Sequence, residues 1–115
     1  MKARPIPRSL LARLKRVKLF LCDVDGVLTD GTVSIREGAE TKTFHVRDGI
    51  GLRFLQKDAG IRIGWVSARP SAATTARAME LKVDFLHQAP SGKIAAIEGI
   101  LAKTGMAWAE VSWMG

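Results

Sequence analysis

Leu19-Phe20-Leu21-Cys22-Asp23-Val24-Asp25-Gly26-Val27-Leu28-Thr29-Asp30-Gly31 is the stretch that decides the fold of this 115-residue chain. The run from Leu19 to Val24 has the continuous apolar, β-leaning composition of a central strand covered on both faces of a parallel sheet. Side chains leaving the carboxyl end of such a strand enter the crevice where open α/β sheets bind ligands. Asp23 and Asp25 fall there. Residues two apart on a strand point the same way, and Gly26 then lets the backbone turn sharply and aim its amides at an anion. Neither acid has an Arg or Lys beside it in sequence. Two crowded like charges are costly unless a divalent cation sits between them, and hard oxygen ligands suit magnesium. For a bare D-x-D, a pair of aspartates capping a turn is the plainer reading; the longer run Asp23-Val24-Asp25-Gly26-Val27-Leu28-Thr29-Asp30-Gly31 favours a catalytic one.

With that run the chain resembles the haloacid dehalogenase superfamily, whose first motif reads D-x-D-G-x-[LT]-[TL]. Together with Phe44-His45-Val46-Arg47-Asp48-Gly49, it is most similar to the cap-less branch that contains the octulosonate phosphatases. The resemblance runs from about Val17 to Gly115 and implies an α/β fold, a three-layer Rossmann-like parallel sheet with a small β-hairpin flap.

Further candidates lie at other strand ends. Ile61-Arg62-Ile63-Gly64-Trp65-Val66-Ser67 is a second apolar strand ending in a hydroxyl that can donate to a phosphate oxygen. Ser67 fits the superfamily's second motif, although Ser67 or Ser71 could equally cap a helix. Lys93 opens a helical pattern of Ile94, Ile97, Ile100 and Leu101. A cation is disfavoured by the dipole at a helix N-terminus, so this lysine makes better sense reaching a phosphate or carboxylate, and it matches the third motif. A lysine taken alone is more often solvated.

The resemblance implies a magnesium-dependent phosphomonoester hydrolase working through an aspartyl-phosphate. Asp23 is the nucleophile and Asp25 the acid and base; Ser67 and the backbone amides that follow Asp23, Gly26 among them, hold the phosphoryl group, and Lys93 neutralises charge. Magnesium is expected on Asp23 through its carboxylate and on Asp25 through its carbonyl. Arg69, Arg77, Arg53 and the segment His45, Arg47, Asp48 and Gly49 match substrate-contacting positions, and arginine suits a sugar carboxylate because it grips both oxygens. The expected substrate is a small phosphorylated 3-deoxy-sugar acid. In similar proteins four hairpins pack together, so a homotetramer is expected.

One departure stands out. The fourth motif, normally G-D-D after a strand, should begin at Gly115, where Val111-Ser112-Trp113-Met114-Gly115 reads as that strand. The expectation is a truncated enzyme, or else a catalytically silent module that binds phosphoesters without turnover.

Elsewhere a helix is expected over about 9–17, capped by Ser9 and docked beside the first strand. A hairpin flap is expected over about 31–46, pairing 32–35 with 41–44 around a left-handed Gly38. Helices near 49–59 and 71–81, a strand at 83–86, the Lys93 helix and the final strand follow. Such alternation gives one domain over 1–115 with a parallel sheet and right-handed crossovers.

The net charge of +7 is local. Lys2, Arg4, Arg8, Arg13, Lys15, Arg16 and Lys18 stand with no acid among them, and the rest of the chain balances. A solvated helix, an Arg-rich targeting peptide and a nucleic-acid contact compete for this segment; Pro5 and Pro7, which would interrupt a presequence helix, favour the first. An RNA-binding module is disfavoured because the flap lacks an aromatic stacking platform. A response-regulator receiver would need an aspartate where Ser67 stands. No apolar run approaches the ~20 residues of a membrane span. The single Cys22 reads as a core thiol compatible with a reducing cytoplasm.

Overall fold

A computed structural model describes residues 3–115. The first strand, β1 (Leu19–Cys22), ends two residues earlier than the apolar run, and the chain turns through Asp23 to Gly31. A short hairpin follows, β2 (Ser34–Arg36) and β3 (Ala39–Thr41), then α2 (Val46–Lys57), β4 (Arg62–Ser67), α3 (Ala72–Glu80), β5 (Phe85–Gln88), α4 (Lys93–Thr104), a 3-10 turn (Trp108–Glu110) and β6 (Val111–Met114), with α1 (Arg8–Lys15) preceding β1.

The main sheet has four strands in the order β5-β4-β1-β6, and all its pairings are parallel. The chain steps from β1 to β4 to β5 in one direction and then returns past β1 to reach β6. Right-handed crossovers therefore require α4 on the face opposite α2 and α3. The core divides accordingly. Cys22, Ile63 and Trp65 pack with Leu52 of α2 and Ala78 of α3, while Leu19 and Leu21 pack with Ile97, Ile100 and Leu101 of α4. This is the expected three-layer arrangement, and it leaves β1 in the middle with strands on both sides and its carboxyl end at the point where the strand order reverses. Gly64 is required for closeness: a Cβ there would collide with the Leu21 side chain and meet Phe85 at 3.4 Å.

Some expectations are corrected. The hairpin turns through Glu37 and Gly38 alone, with φ of 52° and 76°, so Ile35 pairs with Glu40 and the strands are shorter than foreseen. Two consecutive left-handed residues are what a two-residue turn needs to match strand twist. α2 begins at Val46 because the His45 ring caps it, Nδ1 accepting from the Arg47 amide at 3.0 Å. Ser9 is not a cap; α1 starts after Pro7 without a side-chain cap and buries no residue. Its Leu10 and Leu14 border a groove of about 330 Å³ with Trp108 and with Val111 of β6, the strand paired with β1, near the Lys18–Glu110 ion pair of 2.7 Å. Ser71 does cap α3, accepting from the Thr74 amide. Among the described residues no helix is long and apolar enough to cross a membrane.

Candidate active site

Pairing with β6 continues one residue past β1, where the Asp23 amide donates to the Met114 carbonyl at 3.1 Å. That bond fixes the backbone of Asp23 at the sheet edge. Its Oδ1 accepts from the Val24 amide at 2.7 Å, and its Oδ2 accepts from Lys93 Nζ at 2.6 Å. Lys93 is the first residue of α4 and follows Gly92, whose φ is +90°. The ammonium lies 5.5 Å from the centre of the Trp113 ring. A cation at the positive end of a helix is unfavourable, and the Asp23 carboxylate offsets it.

Asp25 sits in the turn, and its Oδ1 accepts from Lys42 Nζ at 2.7 Å. Although neither acid has a basic neighbour in sequence, each has a lysine in the fold, from 70 residues away for Asp23, where Lys93 reaches a carboxylate as expected, and from 17 for Asp25. Gly26 adopts φ of +78° as the turn requires. Its amide donates to Thr29 Oγ1 at 3.2 Å, and the same hydroxyl accepts from the Gly31 amide at 3.1 Å. Asp30 accepts from the amide and hydroxyl of Thr32, which holds its carboxyl below the usual range. These residues brace the turn, and the Gly26 amide is used within it rather than left for an anion.

Ser67 closes β4 and is buried. Its Oγ accepts from the Arg69 amide at 3.3 Å, tying down the loop that carries Arg69. The Arg69 guanidinium grips Glu40 with both nitrogens, at 2.9 and 2.5 Å. That pairing holds the Glu40 carboxyl below the usual range and fastens β3 to the loop after β4. Lys42 completes the cluster. Its side chain is fully buried, lies 3.7 Å from Glu40 and donates to Thr74 Oγ1 of α3 at 3.1 Å. Lys42, Glu40 and Thr74 are absent from the residues that sequence reasoning singles out. A signal existed, since alternation places Lys42 on the same side of its strand as Phe44, an apolar residue bound for the core.

The remaining candidates gather elsewhere. Arg77 pairs with Glu80 at 2.7 Å and lies over the Phe44 ring at 6.0 Å, so it does not share the surroundings of Arg69. Arg53 donates to Gln56 at 2.8 Å and to the Leu81 carbonyl at 3.4 Å. Arg53 and Arg77 border, with Gly49 and Phe54, a groove of about 410 Å³ on the α2–α3 side that Asp23 and Asp25 do not line. His45 and Asp48 border another, of about 350 Å³, with Thr29, Asp30 and Phe44. Arg47 is exposed in the first turn of α2. Cys22, next to the nucleophile candidate, is fully buried; burial, followed by the charges of Asp23 and Asp48, pushes its thiol up to about 12. At neutral pH it is an un-ionised thiol and a poor nucleophile.

The donor set is compatible with magnesium. Among the described residues no cluster of three or more acidic, His or Cys side chains gathers, so the chain offers the Asp23 carboxylate and the oxygens of Asp25. Each carboxylate oxygen has lone pairs beyond the bonds it already accepts. Magnesium commonly takes one or two carboxylates and fills its octahedron with water and substrate phosphate.

A parallel sheet of this order, a D-x-D-G turn at the end of its central strand, a buried serine ending the next strand and a lysine reaching back to the first aspartate together define a class. By fold and site the chain is similar to hydrolases of the haloacid dehalogenase superfamily, among them a structure from Legionella pneumophila with a TM-score of 0.86 at 34% identity, over 92% of this chain and 58% of that one. Among its relatives, 3-deoxy-D-manno-octulosonate 8-phosphate phosphatase KdsC of Escherichia coli K12 is 31% identical over 112 residues, covering 96% of this chain and 59% of the relative. The structure of 3-deoxy-D-manno-octulosonate 8-phosphate phosphatase from Yersinia pestis superposes with a TM-score of 0.88 at 32% identity, over 96% of this chain and 60% of that one. The enzyme of the same name from Moraxella catarrhalis, solved in complex with magnesium ion, phosphate ion and KDO, gives 0.86 at 36% identity over 93% and 62%. This chain therefore spans about three fifths of the length of the curated relatives it matches. No protein-family model matches it.

Proposed function

We propose that this protein is a magnesium-dependent phosphatase that hydrolyses a phosphorylated 3-deoxy-sugar acid, 3-deoxy-D-manno-octulosonate 8-phosphate being the substrate of choice. The observation that carries the reading is the carboxylate of Asp23, fixed at the carboxyl end of β1 and held by Lys93 at 2.6 Å, with Asp25 two residues on. Matches to phosphatases of that name support it.

Asp23 attacks phosphorus as the bond to the leaving alkoxide breaks, and Asp25 gives that alkoxide a proton. Water then attacks the aspartyl-phosphate, its proton passes to Asp25, and Asp23 and inorganic phosphate are released. Lys93 is placed to balance the negative charge that gathers at Asp23. Magnesium, held by the Asp23 carboxylate and the Asp25 carbonyl, supplies further charge neutralisation when bound. Ser67 positions the loop of Arg69, whose guanidinium holds Glu40 and, through it, β3. The reading extends to a homotetramer in the cytoplasm, joined through the hairpins.

A second reading, a phosphoester-binding module without turnover, draws on the same cluster: both carboxylates already have lysine partners, and no third metal-ligating side chain joins them among the described residues. Phosphate release from 3-deoxy-D-manno-octulosonate 8-phosphate, with magnesium and with chelator, separates the two. Magnesium-dependent turnover that disappears in Asp23→Asn is expected. Binding of the ester without release of phosphate, unchanged by magnesium, would favour the module.

A further inference from the structure

We propose that Lys42, at the exit of the hairpin, is the residue that positions Asp25 for proton transfer. The inference rests on the phosphatase reading. Asp25 lies in a glycine turn with its side chain about one-third exposed, at 30%, a setting that by itself leaves the carboxylate free to swing. Proton transfer to a leaving oxygen needs the donor within hydrogen-bond reach and correctly aimed. Lys42 supplies the aim. Its side chain has no exposed surface, and an ammonium has three donors. They meet Asp25 Oδ1 at 2.7 Å, Thr74 Oγ1 at 3.1 Å and, more loosely, Glu40 Oε1 at 3.7 Å.

Each partner is itself held. Thr74 is fully buried in α3, and Glu40 is gripped by Arg69. The ammonium is therefore a fixed point, anchored to α3 and to the loop after β4, and it grips one oxygen of Asp25 only. Among the described residues Oδ2 of Asp25 has no hydrogen-bond partner, so it is the oxygen left to carry the proton to the alkoxide and to receive one from water. The four charges of Arg69, Glu40, Lys42 and Asp25 alternate in sign and run from the loop after β4, through the hairpin, to the turn after β1. The exit of the hairpin thus delivers the group that orients the acid.

A structural latch and a positioning residue differ in what they do to different leaving groups. Loss of a well-aimed acid is felt by an alkyl phosphate, whose alkoxide needs a proton, and hardly by p-nitrophenyl phosphate, whose phenolate does not. For Lys42→Met we expect kcat on 3-deoxy-D-manno-octulosonate 8-phosphate to fall about 100-fold, the scale of general acid catalysis, with KM within about threefold, while kcat on p-nitrophenyl phosphate falls no more than about fivefold. Lys42→Arg should restore part of the alkyl-ester rate. An equal loss on both substrates, or no loss, overturns the proposal. A second measurement does not need turnover: in 1H–15N spectra the buried ammonium should give a slowly exchanging signal that moves in Asp25→Asn. Its absence overturns the proposal whatever the kinetics. Its presence in a chain that releases phosphate from neither substrate supports the Lys42–Asp25 contact and sinks the phosphatase reading instead.

Discussion

Lys93 shows how a single residue can be poor for the fold and good for the site. It opens α4, where the helix dipole disfavours a cation, and its side chain is 43% exposed, so its pair with Asp23 contributes little stability. Exposed ion pairs are typically worth about 0–1 kcal/mol. Lys93→Met should therefore change unfolding free energy by no more than about 1 kcal/mol in urea titrations. Its effect on phosphate release should be far larger, about 100-fold or more, as for removal of one preorganised charge donor. A stability loss of several kcal/mol with activity intact would refute this division of labour. Asp23, Ser67 and Lys93 stand at the end of a strand or the start of a helix and Asp25 in the turn that follows β1, places where the apolar pattern breaks and the sequence singles a polar residue out. Lys42 was not legible in this way, because its importance comes from tertiary approach to Asp25 and Thr74 across 17 and 32 residues. Arg77, grouped with Arg69 by the resemblance, packs instead against Glu80 and Phe44, while Arg69 lies ahead of α3.

The hairpin is the element whose outline was least well read. Its sequence, Arg36-Glu37-Gly38-Ala39-Glu40, suggested a longer connection, because a left-handed glutamate is not expected; Glu37 nonetheless takes φ of 52° beside Gly38. A two-stranded hairpin is marginal in water without a partner surface, and here the attachment is electrostatic, through Glu40 to Arg69 and Lys42 to Asp25. The hydrogen bond from Arg69 is the largest influence holding the Glu40 carboxyl below its ordinary value of 4.5. A carboxyl whose folded value is depressed stabilises above the unfolded value and loses that contribution as the pH falls through the folded one. The hairpin should accordingly loosen in acid, below about pH 4.5, before the main sheet does. Amide 1H–15N shifts of β2 and β3 followed from pH 6 to pH 3 would show it, with Glu40→Gln already loosened at pH 6. If β2 and β3 move only together with β1 and β4, the hairpin is held by something other than this carboxylate.

At the scale of the whole molecule, the central strands and one face each of α2, α3 and α4 bury apolar residues, while Phe54, Met79 and Ile94 stay exposed on the helices and Ile35 on the hairpin. Ile35 is 70% exposed and Val33 37%, on an element that ion pairs hold at one end only. Exposed apolar residues on a marginal hairpin are a natural meeting surface between copies, which is the basis for proposing a tetramer built on these hairpins. The prediction follows from charge: an aspartate at position 35 would have to be buried without a partner in such a contact, at a cost of several kcal/mol per copy, while on a solvated hairpin it would be almost neutral. Light scattering coupled to size exclusion should therefore find about four chains per particle for the native sequence and a smaller particle for Ile35→Asp, with the thermal unfolding of the main sheet little changed. A native particle of one chain, unaffected by the substitution, would mean that the hairpin works within its own subunit, as the reach of Lys42 to Asp25 already allows.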